Sequence, residues 1–496
     1  MNKTIYIISF LIVVTFVNIQ KIVGQSTNKP NIIFILADDL GYGDVACYNP
    51  DSKIPTPNID KMAAEGMRFT DAHASAQICA PSRYGILTGR YAFRDRREDV
   101  SGRLTIPQML KQNGYATAAV GKWHVQHLGL KLLDKAGNQI NPEKEIEQLD
   151  ITKPVKGAKE AGFDYFFGTY ACPTTSMLYA YIENDKIQGN PNQIFPGFKK
   201  WLYGARPARK EPDFKFEEVD LVFLDKSTQF ITEHVKDNPE KPFFLYHSMQ
   251  AVHLPAIPAD QFVGKSQAGL YGDFVFECDW IVGQIFNLLK ELDIEDNTLV
   301  IFTGDNGPES MTPYIKETYD HDSAYSLRGM KRDSWEGGHR EVFISKYPNL
   351  IQEGQENNSL IGHTDVMATL ADIIGFEMPN NTAEDSYSFL DAFNGKESLR
   401  PKPLIHSIQG KSNDRGTVPD AFAIRTQEWK LLNHQGAGSY NYAKGIRKIT
   451  PPLTAPDAPG QLYNIKDDKG EMNNLWYENP EIVKKLQKQL ELIIAE

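Results

Sequence analysis

Asn31-Ile32-Ile33-Phe34-Ile35-Leu36-Ala37 is a nearly continuous apolar run of strand length, and it ends at Asp38 and Asp39. Such a run is typical of a strand that is covered on both faces, as in a parallel sheet between helices. Three similar runs follow along the chain, at Ala116–Gly121, Phe243–His247 and Leu299–Gly304. Together they predict the central strands of one large sheet.

Helical patterns separate these strand-like runs, at Pro57–Gly66, Ile106–Asn113, Val219–Val235 and Tyr271–Leu292. Strands that alternate with helices predict an α/β fold, with a mostly parallel sheet between two layers of helices. After about residue 385 the pattern changes to short strands and a final amphipathic helix, at Ala421–Arg425, Trp429–Leu432 and Pro480–Ala495. We therefore predict a large α/β domain over residues 25–385 and a smaller α+β C-terminal subdomain over residues 386–496.

The first 24 residues have the pattern of a signal peptide. Lys3 precedes an apolar run over Ile5–Ile19, and the small residues Val23 and Gly24 suit a cleavage site. The apolar run is shorter than the roughly 20 residues that span a bilayer, and no later segment approaches that length. The sequence therefore predicts an exported protein, periplasmic or secreted, without a membrane span.

The chain is acidic, with a formal net charge of -11. Residues 1–24 contain two lysines and no acidic residue, so their removal makes the net charge -13. Such acidity argues against nucleic acid and anionic membranes as partners. An anionic substrate would need a local cluster of cationic side chains.

Oxygen-bearing side chains follow two of the predicted strands. Asp38 and Asp39 come directly after the first strand, and Asp305 and Asn306 follow the last. An isolated Asp pair near a glycine is more often a turn or a helix cap. Here, however, both pairs lie at the carboxyl ends of strands, where α/β sheets gather ligands. A set of hard oxygen ligands favours Ca²⁺ or Mg²⁺ over Zn²⁺.

Four cysteines occur, too few for a disulfide scaffold, and none lies in a Cys-x-x-Cys pair: Cys47, Cys79, Cys172 and Cys278. Cys278 lies in an apolar helical stretch and is predicted to be a core residue. Cys79 is different because it begins the run Cys79-Ala80-Pro81-Ser82-Arg83, which continues to Leu87-Thr88-Gly89-Arg90. The proline suggests that a helix begins there.

This run resembles the signature of the formylglycine-dependent sulfatases, the type I, arylsulfatase-like family of the alkaline-phosphatase superfamily. In that family a maturation enzyme oxidises the cysteine of Cys-x-Pro-x-Arg to 3-oxoalanine, the Cα-formylglycine aldehyde. The hydrated aldehyde offers two geminal hydroxyls, one to attack sulfur and one to expel sulfate by restoring the carbonyl. The resemblance runs from about Asn31 to the C-terminus. It implies an alkaline-phosphatase-like fold and hydrolysis of sulfate esters, with a sulfated carbohydrate as the expected substrate.

The resemblance also implies a metal site and a set of catalytic residues. Both acidic pairs match family metal ligands, so one Ca²⁺ per chain is expected on Asp38, Asp39, Cys79, Asp305 and Asn306. Arg83 would stabilise the formylglycine hydroxyl, and Lys122 and Lys331 would bind sulfate oxygens. His124 would assist sulfate expulsion, and His253 would protonate the leaving alcohol. Lysine suits oxyanions and histidine suits proton exchange near neutral pH. These residues would supply the required cationic cluster.

One position departs from the family pattern. Gly162-Phe163-Asp164-Tyr165-Phe166-Phe167-Gly168 matches a family segment that is often followed by a serine supporting the sulfate pocket. Here the next residues are Thr169-Tyr170-Ala171-Cys172, so Cys172 or a nearby threonine would replace that serine. Two other functions remain open at this point. One is a phosphomonoesterase or phosphodiesterase of the same superfold, and the other is a non-catalytic protein that binds sulfated glycan.

Overall fold

The structure is a computed structural model. It describes residues 29–94, 103–125, 131–141, 145–199, 204–205, 207–408, 412–413, 416–417, 421–438 and 452–496. The predicted signal peptide, residues 1–24, lies outside these described residues. Among the helices of the described part, none is both long and apolar enough to cross a membrane.

Within the described residues, seventeen strands precede residue 363. They are β1 Asn31–Ala37, β2 Met67–Phe69, β3 Ala72–His73, β4 Ala116–Lys122, β5 Tyr165–Thr169, β6 Leu178–Tyr179, β7 Ile182–Glu183, β8 Lys186–Ile187, β9 Gln193–Phe195, β10 Phe198–Lys199, β11 Gly204–Ala205, β12 Ala208–Lys210, β13 Phe243–Ser248, β14 Thr298–Gly304, β15 Phe343–Lys346, β16 Gln355–Asn357 and β17 Ile361–Gly362. Ten of them form one sheet in the order β16-β2-β15-β14-β1-β13-β4-β5-β7-β8. The five strands from β14 to β5 are parallel, and antiparallel neighbours extend the sheet at both sides. The prediction of a large, mostly parallel sheet is confirmed.

The first apolar run forms the middle of this sheet. β1 pairs in parallel with β13 on one side and β14 on the other, and all seven of its residues are buried. Ile32 and Phe34 belong to the hydrophobic core on one face, whereas Ile33 and Ile35 belong to the core on the other. Both faces are therefore covered, which explains why the run is apolar throughout rather than alternating.

Helices cover both faces. In chain order they are α1 Pro57–Ala64, α2 Cys79–Thr88, α3 Ile106–Gln112, α4 Val219–Asp237, α5 Gly269–Glu291, α6 Thr312–Tyr319, α7 Val366–Ile374, α8 Leu390–Phe393 and α9 Pro480–Ala495. Buried residues of α2, α3 and α7 belong to one core, and those of α1, α4 and α5 belong to the other. Cys278 on α5 is fully buried, as predicted.

A second sheet follows in sequence. Its four antiparallel strands lie in the order β18-β21-β22-β23, and a separate pair is formed by β19 and β20; the bounds are β18 Leu404–Ile408, β19 Ser412–Asn413, β20 Gly416–Thr417, β21 Ala421–Arg425, β22 Trp429–Leu432 and β23 Gln461–Asn464. Buried residues of α9 pack on this sheet. The late strands and the last helix confirm the predicted C-terminal α+β architecture. The boundary between residues 385 and 386 stays a prediction.

Candidate functional site

The carboxyl ends of the central parallel strands bring the predicted metal ligands together. Asp38 and Asp39 follow β1, and Asp305 and Asn306 follow β14, its direct neighbour. All four side chains are fully buried. The backbone N–H of Asp39 donates to Asp305 Oδ1 at 3.1 Å, and Asn306 Nδ2 donates to Asp39 Oδ1 at 2.8 Å. The two pairs therefore form one cluster, because neighbouring parallel strands end at the same edge of the sheet.

Cys79 is the first residue of α2, two residues before the proline that signalled this helix. The helix has no side-chain cap at its N-terminus, and Gly89 ends it in a left-handed conformation with φ of 62°. The first N–H groups of a helix lack intrahelical partners and carry the positive end of its dipole. The helix start therefore places partial positive charge beside Cys79, which suits an anionic reacting group.

Arg83 lies one turn along α2 and joins the strand ends to this helix. Its Nε donates to Asp305 Oδ2 at 2.8 Å, and its Nη1 donates to the carbonyl oxygen of Lys122 at 3.1 Å and to Ser248 Oγ. Nη2 lies 3.7 Å from Asp38 Oδ1. The side chain is fully buried. A guanidinium held on several sides is a fixed positive charge, so Arg83 orients the acidic cluster relative to Cys79.

Two lysines face the first acidic pair. Lys122 ends β4 and its Nζ donates to Asp38 Oδ2. Lys331 lies in a loop more than 200 residues later, and its Nζ is 2.6 Å from Asp39 Oδ1 and 3.4 Å from Glu309 Oε2. Both ammonium groups are almost completely buried. The predicted cationic cluster is therefore present within an acidic molecule.

The acidic cluster fits a hard divalent cation. One ligand atom each from Asp38, Cys79 and Asp305 lies within 4.8 Å of the others. Among the described residues, Asp38 Oδ1 and Asn306 Oδ1 are buried and accept no hydrogen bond. A buried oxygen without a donor is costly unless a cation or another partner satisfies it. The carboxylate and amide oxygens gathered here are those that Ca²⁺ takes as ligands.

The acidic side chains also repel one another. Burial, reinforced by the charge of Asp38, raises the pKa of Asp305 to about 7. Burial also raises the pKa of Asp39. Burial also favours a higher pKa for Asp38. The positive charges of Lys122, His253 and Arg83 outweigh this effect and lower the pKa of that carboxyl. A bound dication would favour the ionised form of every member of the cluster.

The sulfurs of Cys79 and Cys172 and two imidazoles also lie close together, beside the acidic cluster. Cys79 Sγ is 3.4 Å from His124 Nδ1, and Cys172 Sγ is 3.6 Å from the same nitrogen and 3.5 Å from His253 Nε2. Among the residues named to replace the family serine, Cys172 is the one that contacts both histidines. The sequence indicated that the family serine is absent here, and the fold brings Cys172 into the pocket.

The thiols and imidazoles share their protons. The hydrogen bond with Cys172 and burial raise the pKa of Cys79, but Lys122, His124 and Lys331 outweigh them and leave it at about 7. Burial lowers the pKa of His124, yet the two sulfurs raise it to about 10. Burial likewise lowers the pKa of His253, whereas Cys172 raises it to about 9. Near neutral pH both imidazoles can therefore hold a proton for transfer.

Three supporting residues were not predicted from the sequence. Ser248, at the end of β13, contacts Arg83, and Glu309 contacts Lys331. Asp220 on α4 accepts hydrogen bonds from the backbone N–H groups of Gln250 and Ala251, at 2.7 and 2.9 Å, in the loop that carries His253. Of the three, only Asp220 lies on a helix that the sequence predicted, and its burial is seen only in the structure.

The sheet, the helix that begins at the cysteine and the buried acidic and cationic groups define a hydrolase of the alkaline-phosphatase-like fold. The sulfatase family profile matches residues 30–376. The chain belongs to the sulfatase family, and its activity is that of a sulfuric ester hydrolase.

Relatives of this family match nearly the whole chain. It is 30% identical to N-acetylgalactosamine-6-O-sulfatase of Bacteroides thetaiotaomicron, over 96% of this chain and 95% of the relative. It is 31% identical to human steryl-sulfatase, over 91% of this chain and 85% of that relative. A solved structure from work on the metabolism of multiple glycosaminoglycans by Bacteroides thetaiotaomicron has a TM-score of 0.74 and 28% identity, over 95% of this chain and 100% of that one.

Proposed function

We propose that this sulfatase removes the sulfate ester from a sulfated carbohydrate, with an amino-sugar 6-sulfate as its leading substrate. The observation that supports the site assignment is the position of Cys79 at the start of α2, beside the acidic cluster with which the buried lysines pair. The likeness to N-acetylgalactosamine-6-O-sulfatase over nearly its full length supports the substrate class. Human steryl-sulfatase is about as similar in identity, so a steroid sulfate is the second candidate.

The nucleophile in this proposal is formylglycine made from Cys79 by a maturation enzyme. The hydrated aldehyde would supply the hydroxyl that attacks sulfur. The chain contributes the surroundings of that atom. The N-terminus of α2 and the ammonium groups of Lys122 and Lys331 stabilise the negative charge on the sulfate oxygens. Arg83 holds the nucleophile's helix against Asp305.

The cofactor in this proposal is one Ca²⁺ per chain, held by Asp38, Asp39, Asp305, Asn306 and the converted side chain of Cys79. A bound Ca²⁺ would lower the pKa of a hydroxyl that it contacts and neutralise charge on sulfate. The unpartnered oxygens of Asp38 and Asn306 support this assignment. In this arrangement the lysines would bind the sulfate oxygens, and the ion would lower the pKa of the nucleophilic hydroxyl.

The two histidines divide the proton transfers. His253 Nδ1 lies 2.6 Å from the carbonyl oxygen of Leu254, which fixes the ring and leaves Nε2 facing the pocket. We assign to His253 the protonation of the leaving alcohol, and to His124, beside Cys79 Sγ, assistance in expelling sulfate. The pKa of His253 is raised mainly by Cys172, a side chain that conversion of Cys79 leaves in place, and this suits a group that must carry a proton.

We also propose that residues 1–24 direct export to the periplasm or the outside of the cell, after which residues 25–385 carry the reaction. A secreted or periplasmic location suits breakdown of extracellular sulfated glycan. Residues 386–496 form the C-terminal subdomain. Edman sequencing of the protein recovered outside the cytoplasm would begin at residue 25 if the cleavage site is correct.

The experiment that tests the function compares turnover of five compounds: N-acetylgalactosamine 6-sulfate, N-acetylglucosamine 6-sulfate, a steroid sulfate, nitrophenyl sulfate and nitrophenyl phosphate. The protein is produced with a formylglycine-generating enzyme, and a mass spectrum of the Cys79 peptide measures conversion. We expect the aldehyde, high kcat/KM on an amino-sugar 6-sulfate and little activity on the phosphate. Cys79→Ala should abolish turnover, whereas the control Cys47→Ala should keep it. Preference for the steroid sulfate, or for phosphate, would contradict the proposal.

The metal is tested on the converted protein. Chelation should remove activity, and Ca²⁺ should restore it better than Mg²⁺ because the oxygen set does not impose a small octahedral site. Calorimetry without substrate should show one Ca²⁺ per chain, and Asn306→Ala should weaken that binding. Restoration by Zn²⁺ alone would contradict an oxygen-ligand site.

A further inference from the structure

Four side chains beside the acidic cluster carry nitrogen or sulfur donors, and three of these donors converge. We call them the sulfur–imidazole cluster: Cys79, His124, Cys172 and His253. Its three measured sulfur-to-nitrogen distances are 3.4, 3.6 and 3.5 Å. The thiols of Cys79 and Cys172 hydrogen-bond to each other and lie within 4.8 Å. The donors of Cys79, His124 and Cys172 therefore surround one small volume, and His253 Nε2 borders that volume through its contact with Cys172.

These separations match those between ligands of a tetrahedral zinc site. With Zn–S bonds of about 2.3 Å and Zn–N bonds of about 2.05 Å, tetrahedral angles place sulfur and nitrogen ligands about 3.6 Å apart. The observed distances are within 0.2 Å of that value. Two sulfurs and two imidazoles are a ligand set that binds Zn²⁺ in proteins and differs from the oxygen set that binds Ca²⁺.

From this geometry we propose that the chain binds one Zn²⁺ in the sulfur–imidazole cluster as long as Cys79 remains a cysteine. The inference goes beyond the proposed function because it concerns the unconverted protein. Binding replaces the protons that the two thiols and His124 Nδ1 share, and those protons pass to solvent. Two thiolates then balance the charge of Zn²⁺.

The surroundings favour this ion. His253 Nδ1 faces the carbonyl oxygen of Leu254 at 2.6 Å, so a proton on Nδ1 leaves the lone pair of Nε2 directed at the cluster. Lys122 and Lys331 stabilise the thiolate form of Cys79. Three members of the cluster, Cys79, Cys172 and His253, are buried, and His124 is partly exposed. Cys172 contributes a sulfur to the cluster in place of the serine that the family often has.

Occupation would have a consequence for maturation. Zn²⁺ would hold the sulfur of Cys79, the atom that conversion to the aldehyde removes. Once Cys79 is an aldehyde, the cluster loses one thiolate and keeps three donors. We therefore expect the unconverted chain to bind Zn²⁺ more tightly than the converted chain.

The test uses full-length protein produced without the maturation enzyme, kept reduced, and in excess Ca²⁺ so that the oxygen site is filled. Zn²⁺ is titrated against a chromophoric chelator, and Co²⁺ is used as a spectroscopic substitute. We expect one ion per chain and a thiolate-to-cobalt charge-transfer band. Cys172→Ser should lower the intensity of that band by about half, because one of two thiolates is lost, and should weaken Zn²⁺ binding by about 100-fold or more. The control Cys47→Ser should leave both unchanged.

Three results would overturn the proposal: absence of the charge-transfer band, a band of undiminished intensity in Cys172→Ser, or equal Zn²⁺ affinity of converted and unconverted protein. Circular dichroism and thermal unfolding of each variant establish that it is folded. Conversion is measured separately by the mass of the Cys79 peptide. Failure of conversion would therefore count against the proposed function. It would not affect the Zn²⁺ titration and the cobalt spectrum, which use the unconverted protein.

Discussion

Asp38 and Asp39 are adjacent in sequence, yet they have different partners. Asp38 accepts from Lys122 at the end of β4, whereas Asp39 lies 2.6 Å from Lys331. Asp39 has a positive φ of 63°, an uncommon backbone conformation for a residue with a side chain. This conformation turns neighbouring carboxylates toward different cations. The result is an alternating arrangement of charges that tolerates complete burial.

The histidine roles give a prediction at the residue scale. His253→Ala should reduce kcat/KM strongly on a sulfated sugar, whose alkoxide is a poor leaving group, and weakly on nitrophenyl sulfate. Replacing His124 should slow both substrates similarly, because its proposed step follows departure of the alcohol. Steady-state kinetics of both variants on both substrates measure this difference. We expect a factor of about 100 between the substrates for His253→Ala, within the usual range of general acid catalysis.

The comparison of the two variants is its own control, since both replace a pocket histidine by alanine. Equal losses on both substrates for His253→Ala, or a loss for His124→Ala that depends on the leaving group, would mean that the assigned roles are wrong.

At the scale of elements, the close approach of β4 and β13 depends on one glycine. Gly121 has φ of 121°, and a Cβ there would lie 1.8 Å from the carbonyl oxygen of Ser248. Gly121→Ala should lower the free energy of unfolding by about 4 kcal/mol or more, because the backbone must move at the point where Lys122 enters the site. Chemical denaturation of the purified variant measures the change.

Gly114 provides the matched control. It also has a positive φ, of 90°, but a Cβ there would meet nothing within 4 Å. Gly114→Ala should therefore cost only the conformational strain, about 1–2 kcal/mol. Similar losses for the two variants would contradict the steric argument.

The contact between β13 and α4 predicts a pH dependence of stability. His247 is fully buried on β13, its Nδ1 lies 2.8 Å from Ser227 Oγ on α4, and burial lowers its pKa to about 4. In the unfolded chain the pKa is about 6.5, so the unfolded state binds a proton first as the pH falls. The stabilisation is present above about pH 6.5 and is lost progressively toward pH 4.

This dependence can be isolated with His247→Gln, which keeps a polar side chain but does not titrate. Between pH 7 and pH 5 the parent should lose about 2 kcal/mol more of its unfolding free energy than the variant. Urea denaturation at both pH values measures the difference. Equal losses in the two proteins would show that His247 does not carry the effect.

At the scale of the whole molecule, the C-terminal sheet supports the loop that carries Lys331. The backbone N–H of Glu336 donates to Glu471 at 2.6 Å, and the indole N–H of Trp335 donates to Gln461 at 3.0 Å. Lys430 on β22 lies 3.0 Å from both Glu336 and Glu471 and is fully buried. The second sheet thus positions a lysine of the proposed sulfate pocket.

Lys430→Met should therefore lower the free energy of unfolding by about 3–5 kcal/mol, because it leaves the buried carboxylate of Glu471 without its cation, whereas Glu336 keeps Arg340. Thermal and denaturant unfolding measure the change. We also expect a higher KM for the sulfate ester, since the loop that carries Lys331 is less firmly held.

Lys402→Met is the control, because Lys402 forms an exposed pair with Glu496, and it should change stability by less than about 0.5 kcal/mol. Equal changes in the free energy of unfolding for Lys430→Met and Lys402→Met would show that the buried ion pairs of Lys430 do not stabilise the contact with the C-terminal sheet.

The sequence by itself determined the central sheet, most of its helices and the chemical type of the site. A strand buried on both faces must be apolar throughout, so β1, β4, β13 and β14 could be located within about one residue at each end. The short edge strands and the ten-strand order were not predicted, because such strands carry little periodic signal and depend on their neighbours.

Only the tertiary structure decided which side chains contact one another. Cys172 meets His124 and His253 because β4, β5 and β13 are neighbours in the sheet, and nothing in the sequence near Cys172 records that contact. Likewise, Lys430 supports the loop that carries Lys331 across almost 100 residues of chain. Sequence patterns report on local periodicity and burial, whereas contacts between distant segments are set by how the sheets and helices pack together.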